Sequence, residues 1–198
     1  MYQFADNNDN KETVFTIKVQ DLKFGVGALR ELGPDAVALK MERIALFLDG
    51  NIQDGEPIHR VKKSLKSSGV DFEIYDKAVC EPNTTSCMAA AEFVKNGNFD
   101  GFVSIGGGSV MDTAKAANLL SCHGGQILDY VNAPIGQAKK VPGPLMPHIA
   151  CPSTSGTGAE TTGIVVLDIE EVGLKSGIAS PYLKPDHAIV DPETTLTL

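Results

Sequence analysis

The spacing of apolar and polar positions divides the chain into short strands and longer helices. Arg43-Ile-Ala-Leu-Phe-Leu-Asp49 is an apolar run that ends in an acid before Gly50, the pattern of a parallel strand buried on both faces. Pro57 then opens a helix in which Ile58, Val61 and Leu65 recur at helical spacing while Lys62, Lys63 and Lys66 face elsewhere, and Gly69 supplies the stop. Val70 to Tyr75 reads as the next strand. Ser86 is the expected N-cap of a helix through Lys95, with Asn96-Gly97 as its exit. Gly101 to Ile105 is another buried strand, followed by a turn at Gly106, Gly107 and Gly108 and a helix from Ser109 to Leu120. His148 to Cys151 is a further strand.

Strands alternating with helices in this way predict an α/β fold, a Rossmann-like parallel sheet flanked by helices. The rhythm then changes. Thr162 to Ile169 and Lys175 to Ser180, joined around Glu170 to Gly173, predict an added antiparallel β-hairpin beside that sheet, and Ala188 to Val190 a last strand. The whole, residues 1–198, is expected to be one domain, with residues 1–23 an extension or strand segment at its front.

Composition narrows the function classes. The 198 residues are 42% hydrophobic and 21% charged, enough for a packed core. A formal charge of -8 without a basic block argues against nucleic acid or an anionic membrane as partner. Cys80, Cys87, Cys122 and Cys151 have neither CxxC spacing nor a His pair beside them, so no zinc site or redox pair is written and reduced, mostly packed thiols are expected. Met1 to Glu12 carries no apolar or Arg-rich leader pattern, from which a cytoplasmic protein is expected.

The chemistry concentrates in Ser104-Ile-Gly-Gly-Gly-Ser-Val-Met-Asp-Thr-Ala-Lys115. Three glycines admit a ligand close to the backbone, and the helix that follows aims unpaired N–H groups and its positive dipole end at the same place. This is a pyrophosphate seat or, equally on these residues alone, a tight turn. Ser109 and Asp112 have capping-box spacing, so Asp112 is expected to brace the helix start. Asp49, at the carboxyl end of its strand, is placed to accept ribose hydroxyls and to repel a 2′-phosphate, favouring NAD over NADP, although an Asp before Gly50 also simply starts turns. The glycines of a Rossmann fingerprint precede their acid, whereas here Asp49 precedes Gly106, so this is a different motif. In Pro152-Ser-Thr-Ser-Gly-Thr-Gly-Ala-Glu-Thr-Thr162, six hydroxyl side chains sit among two glycines, either a sugar-binding loop or a plain surface loop.

Ile105 to Asn118, Pro152 to Glu160 and the tail Lys184-Pro-Asp-His-Ala-Ile-Val-Asp-Pro192 resemble the iron-containing (group III) alcohol dehydrogenases. Leu128 to Gly136 and Glu160-Thr-Thr-Gly163 resemble most the hydroxyacid-oxoacid transhydrogenase branch. The resemblance implies a dehydroquinate synthase-like N-terminal domain, with Asp49 at the adenosine ribose and Asn83 as a nucleotide contact. It implies Gly107, Gly108 and Ser109 as the pyrophosphate seat, with Gly106 and Asp112 in the same motif. Ser153, Thr154, Thr157 and Thr162 would line the cofactor groove, and Lys175 would reach the nicotinamide ribose. The family has Thr where this chain has Ser153, and Pro-Asn-Pro where it has Pro82-Asn83-Thr84.

In the family an Asp and three His hold the metal, iron or zinc, in a helical C-terminal domain that follows the segment matching Asp191-Pro192. This chain is therefore expected to be the cofactor half, with no catalytic or metal-binding residue of its own. His59, His123, His148 and His187 are expected to be ordinary surface or packing histidines. The implied activity is NAD-linked, metal-dependent oxidation and reduction of small alcohols, aldehydes or hydroxy acids in a dimer or larger homo-oligomer, with the N-terminal segment a possible contact. Two rivals stand beside it: a nucleotide-binding or oligomerisation module without turnover, and a relative of dehydroquinate synthase or glycerol-1-phosphate dehydrogenase.

Overall fold

The computed structural model describes residues 20–196. Most of the expected N-terminal extension, and the oligomer contact suggested for it, lie outside the described residues. Six parallel strands form one sheet: β1 (Asp21–Phe24), β2 (Arg43–Leu48), β3 (Asp71–Tyr75), β4 (Gly101–Gly106), β5 (His148–Pro152) and β8 (His187–Val190), in the order β1-β8-β5-β4-β2-β3. β6 (Ile164–Ile169) and β7 (Leu174–Ala179) make a separate antiparallel pair. The helices are α1 (Leu32–Ala38), α2 (Glu56–Ser67), α3 (Thr84–Gly97), α4 (Gly108–His123) and the single turn α5 (Ile127–Tyr130).

Burial follows the two periods in the sequence. Along β2, Ile44, Leu46 and Leu48 pack with Ile58, Val61 and Leu65 of α2, while Ala45 and Phe47 face the other way onto Ala90 and Val94 of α3 and Val110 and Ala114 of α4. The hairpin alternates likewise: Val165, Leu167 and Ile169 join Leu119 and Leu120 in a third cluster, leaving Ile164 and Val166 about half exposed. Gly69 stops α2 at φ +73°, a value open to glycine at little cost. The Asp191 carboxylate is buried and accepts the N–H groups of Gly27, Leu29 and Glu193, which ties β8 to the residues after β1.

Helix α3 differs from expectation at both ends. Its N-cap is Asn83, whose Oδ1 accepts the Ser86 N–H at 2.7 Å while Ser86 Oγ accepts the Asn83 N–H at 2.9 Å. That reciprocal box satisfies two orphan donors, so the helix begins before Ser86. It leaves through Asn98 at φ +52°, a left-handed residue that asparagine tolerates, with Gly97 still helical. Among the histidines, His148 is fully packed and hydrogen-bonds Ser104 Oγ at 2.8 Å.

Connectivity decides where a ligand goes. From β2 the chain moves outward to β3, returns to β4 on the other side of β2, and continues to β5. The direction of winding reverses between β2 and β4, and a crevice opens there at the carboxyl ends of the strands.

Candidate functional site

That crevice brings Asp49 and the glycine turn together. Leu48 pairs with Ile105 across the sheet, and the Asp49 N–H donates to the Ile105 carbonyl. A Cβ on Gly106 would stand 3.3 Å from the Asp49 Cβ, so the acid lies against the turn although 57 positions separate the two in sequence. The reversed motif order is thus a matter of strand numbering: the glycines follow the fourth strand instead of the first. Asp49 Oδ1 accepts both the backbone and side-chain N–H of Asn51, so it starts a turn as well.

Helix α4 begins at Gly108 with Gly107 as its N-cap, and no side chain caps it. Ser109 and Asp112 do not form the expected box. With the start at Gly108, Asp112 lies beyond the first turn, and its Oδ2 instead accepts the N–H of Val166 on β6 at 3.0 Å. Ser109 Oγ accepts the Glu81 N–H. The first N–H groups of α4 are therefore left to face the crevice, which suits an anion. Gly106, Gly107 and Gly108 all have ordinary backbone angles; what requires glycine at 106 and 108 is space, whereas 107 has room for a Cβ. A Cβ on Gly108 would stand 2.7 Å from Thr157 Oγ1, and one on Gly107 would meet Thr154 at 3.5 Å.

The cleft measures about 400 Å³, within the range of small-molecule sites. Gly108, Ser109 and Asp112 form one side, Glu81 and Pro82 the rim, and Thr157, Ala159, Thr162 and the hairpin residues Ile164, Val166 and Lys175 the other. Lys175 forms an exposed ion pair with Glu81 that spans the mouth, and this hydrogen-bonded partner raises its pKa. Of the expected site residues, Gly108, Ser109, Asp112, Thr157, Thr162 and Lys175 line this cleft, whereas Asp49, Asn83, Gly106, Gly107, Ser153 and Thr154 do not. Ser153 is 1% exposed and donates its N–H to the Gly106 carbonyl, so it supports the turn from behind. Asn83 has its Oδ1 committed to the α3 cap.

Sequence reasoning missed Glu81, Asp168, Ile164 and Val166. The last two were discoverable, since alternation along β6 puts 164 and 166 opposite the buried 165, 167 and 169. Two features fit a dinucleotide: the cradle at Gly107 and Gly108 that side chains would fill, and Asp112 Oδ1, buried at the cleft without a hydrogen-bond partner. Burial pushes the Asp112 carboxyl up, against the Val166 N–H and Lys115. Among the described residues no three His, Cys, Asp or Glu side chains gather as metal ligands.

A hydroxyacid-oxoacid transhydrogenase of Rattus norvegicus is 45% identical over 183 residues, 92% of this chain and 39% of the relative. A probable hydroxyacid-oxoacid transhydrogenase of Dictyostelium discoideum is 39% identical, with 98% of this chain and 38% of its own length covered. The chain thus spans about two fifths of these curated relatives. Among solved structures, a sulfoacetaldehyde reductase of Bifidobacterium kashiwanohense in complex with NAD+ superposes with TM-score 0.82 at 29% identity, covering 92% of this chain and 47% of that one. The NADH-dependent butanol dehydrogenase A of Thermotoga maritima, at 24% identity, has the same fold with TM-score 0.86 over 93% of this chain and 46% of its own. The expectation of a cytoplasmic protein is overturned: both transhydrogenase relatives are named mitochondrial, and the lack of a leader pattern over Met1 to Glu12, from which that expectation came, does not stand against it. The model for "Iron-containing alcohol dehydrogenase" matches residues 20–192, and the chain belongs to that family.

Proposed function

We propose that this chain is the NAD-binding part of a metal-dependent oxidoreductase that interconverts small hydroxy acids or alcohols and their carbonyl forms. The observation that carries the reading is the meeting of Asp49, the glycine turn and the uncapped α4 terminus at the topological switch point. The transhydrogenase names of the relatives support hydroxy acids as substrates, and their mitochondrial names support that compartment. Residues 1–198 serve as the cofactor domain, and the metal, iron or zinc, belongs with the part of the longer relatives that this chain does not span. Two or more copies assemble in the working enzyme.

Each residue then has a physical task. Asp49 accepts hydroxyls of the adenosine ribose, and its charge disfavours the 2′-phosphate of NADP. Gly107, Gly108 and Ser109 offer N–H groups to the pyrophosphate, which Thr154 and Thr157 flank. Asp112 Oδ1 and Lys175, once it leaves Glu81, meet the nicotinamide half, while Ile164 and Val166 keep that end dry. Bound NAD supplies the hydride acceptor.

Calorimetric titration with NAD and NADP tests this. Saturable binding that prefers NAD, weakened and less selective in Asp49→Ala, is the expected result; equal NAD/NADP preference in wild type and variant would remove Asp49 from the ribose.

A further inference from the structure

Lys115 is the most buried cation among the described residues, with a side chain 1% exposed. Its ammonium donates to three backbone carbonyls: Ala159 at 2.7 Å, Thr162 at 2.9 Å and Ile164 at 3.0 Å. An ammonium has three hydrogens, and all three are spent. Asp112, one turn earlier on α4, lies 3.7 Å away and holds the N–H of Val166. The four backbone groups held by this pair belong to Ala159, Thr162, Ile164 and Val166, and each of those residues lines the cleft.

Burying an ammonium carries a desolvation cost that a methionine of similar length would avoid. The compensation is specific. Residues 153–163 connect β5 to β6 with only a short 3₁₀ turn, so their backbone has no ladder to hold it. Charge-assisted bonds from a rigid helix give that segment a fixed distance from α4. Helix α4 also carries the glycine turn at its start, so one element sets both sides of the cleft.

Resting on the NAD reading above, we infer that Lys115 is a positioning residue for the cofactor. Its ammonium fixes how far the Thr157–Thr162 wall and strand β6 stand from the pyrophosphate seat. Removing the proton leaves two donors for three carbonyls and turns a lone pair toward the third, so the wall loosens. The charged and titratable groups around Lys115 are Asp112 on α4, Glu160 on the 3₁₀ turn, His148 on β5, and Tyr182, Lys184 and Asp186 across the small cavity they share with it. Burial pulls Lys115 down to about 8, against the opposing pull of Asp112 and Glu160. His148 stays neutral throughout the neutral and alkaline range, because burial pushes it to about 3.

The experiment combines NAD titration between pH 7 and 9 with amide hydrogen exchange, on wild type and Lys115→Met. Expected for the variant is NAD binding about tenfold weaker at pH 7, the scale of one lost bond to a charged donor. Its exchange should quicken across residues 159–166 while β2 and β4 stay protected. Wild-type affinity should fall several-fold as pH rises through 8, and the variant's should be flat. Wild-type affinity in Lys115→Met, or protection lost evenly through the sheet, would overturn the inference. If the variant does not fold, the wild-type profile decides, and constant affinity from pH 7 to 9 rejects it. A wild type that binds no NAD at any pH would instead take down the cofactor reading, and the inference with it.

Discussion

Lys115 and Lys175 both tie the hairpin side of the cleft to the opposite side, but the first has 1% of its side chain exposed and the second 54%. Lys115 spends its hydrogens on three backbone carbonyls, in surroundings where an unmet donor is costly. Lys175 pairs with Glu81, itself 60% exposed, where water can replace either partner. Exposed pairs contribute little to stability and weaken with salt. The same residue type therefore does two jobs: the buried lysine sets the shape of the cleft, and the exposed one is free to change partner when an anion arrives.

If buried polar groups are fixed and exposed ones exchangeable, acid should act first through the buried set. His148 is neutral in the fold because burial, then the charge of Lys115, drives its pKa to about 3, against 6.5 for the free side chain. Below 6.5 the unfolded chain takes up a proton that the fold excludes, so His148 costs nothing above that pH and stability falls as pH drops toward 3. The slope for one such proton is about 1.4 kcal/mol per pH unit. Urea unfolding of wild type and His148→Gln between pH 7 and 4 measures it; parallel profiles would show that His148 titrates freely and is not fixed.

Next in size is the boundary between the two regions. A Cβ on Gly108 would stand 2.7 Å from Thr157 Oγ1, whereas one on Gly107 meets Thr154 at an ordinary 3.5 Å. Gly108→Val should lower NAD affinity about a hundredfold, or ~2.7 kcal/mol, and Gly107→Ala only a few-fold, with both folds intact by circular dichroism. Equal losses would mean that the anion, and not the Thr157 wall, sets the need for glycine. The smallest effect is expected at the exposed pair. Glu81→Gln frees Lys175 and removes a carboxylate from the mouth, so NAD should bind a few-fold tighter at low salt, with the gain vanishing at high salt. Weaker binding in this variant would make Glu81 a ligand and not a competitor.

The strands and the long helices were legible because burial wrote a period into them: Ile58, Val61 and Leu65 on α2, and the unbroken run from Ile44 to Leu48 on β2. The α3 start was misplaced because Asn83 and Ser86 are both capping residues, and only the reciprocal bonds show which one stands at Ncap. The short elements β1, α1 and α5 carry too few residues to show a period; the Asp191 carboxylate holds the Gly27 and Leu29 N–H groups between β1 and α1, and α5 starts at a Gln126–Asp129 capping box.

The glycine motif, the acid at the end of a strand and the hydroxyl-rich loop are local facts, and the sequence by itself determined them together with the family. Their assembly is not local. Sheet order put Asp49 against Gly106, and the start of α4 at Gly108 carried Asp112 past the first turn and onto β6. Lys115 reads in the sequence as one more polar residue on a helix. Only the tertiary structure, by closing a loop with no ladder of its own over that helix, turned it into a buried donor to three carbonyls, because a carbonyl taken from water must find a hydrogen bond wherever the fold supplies one.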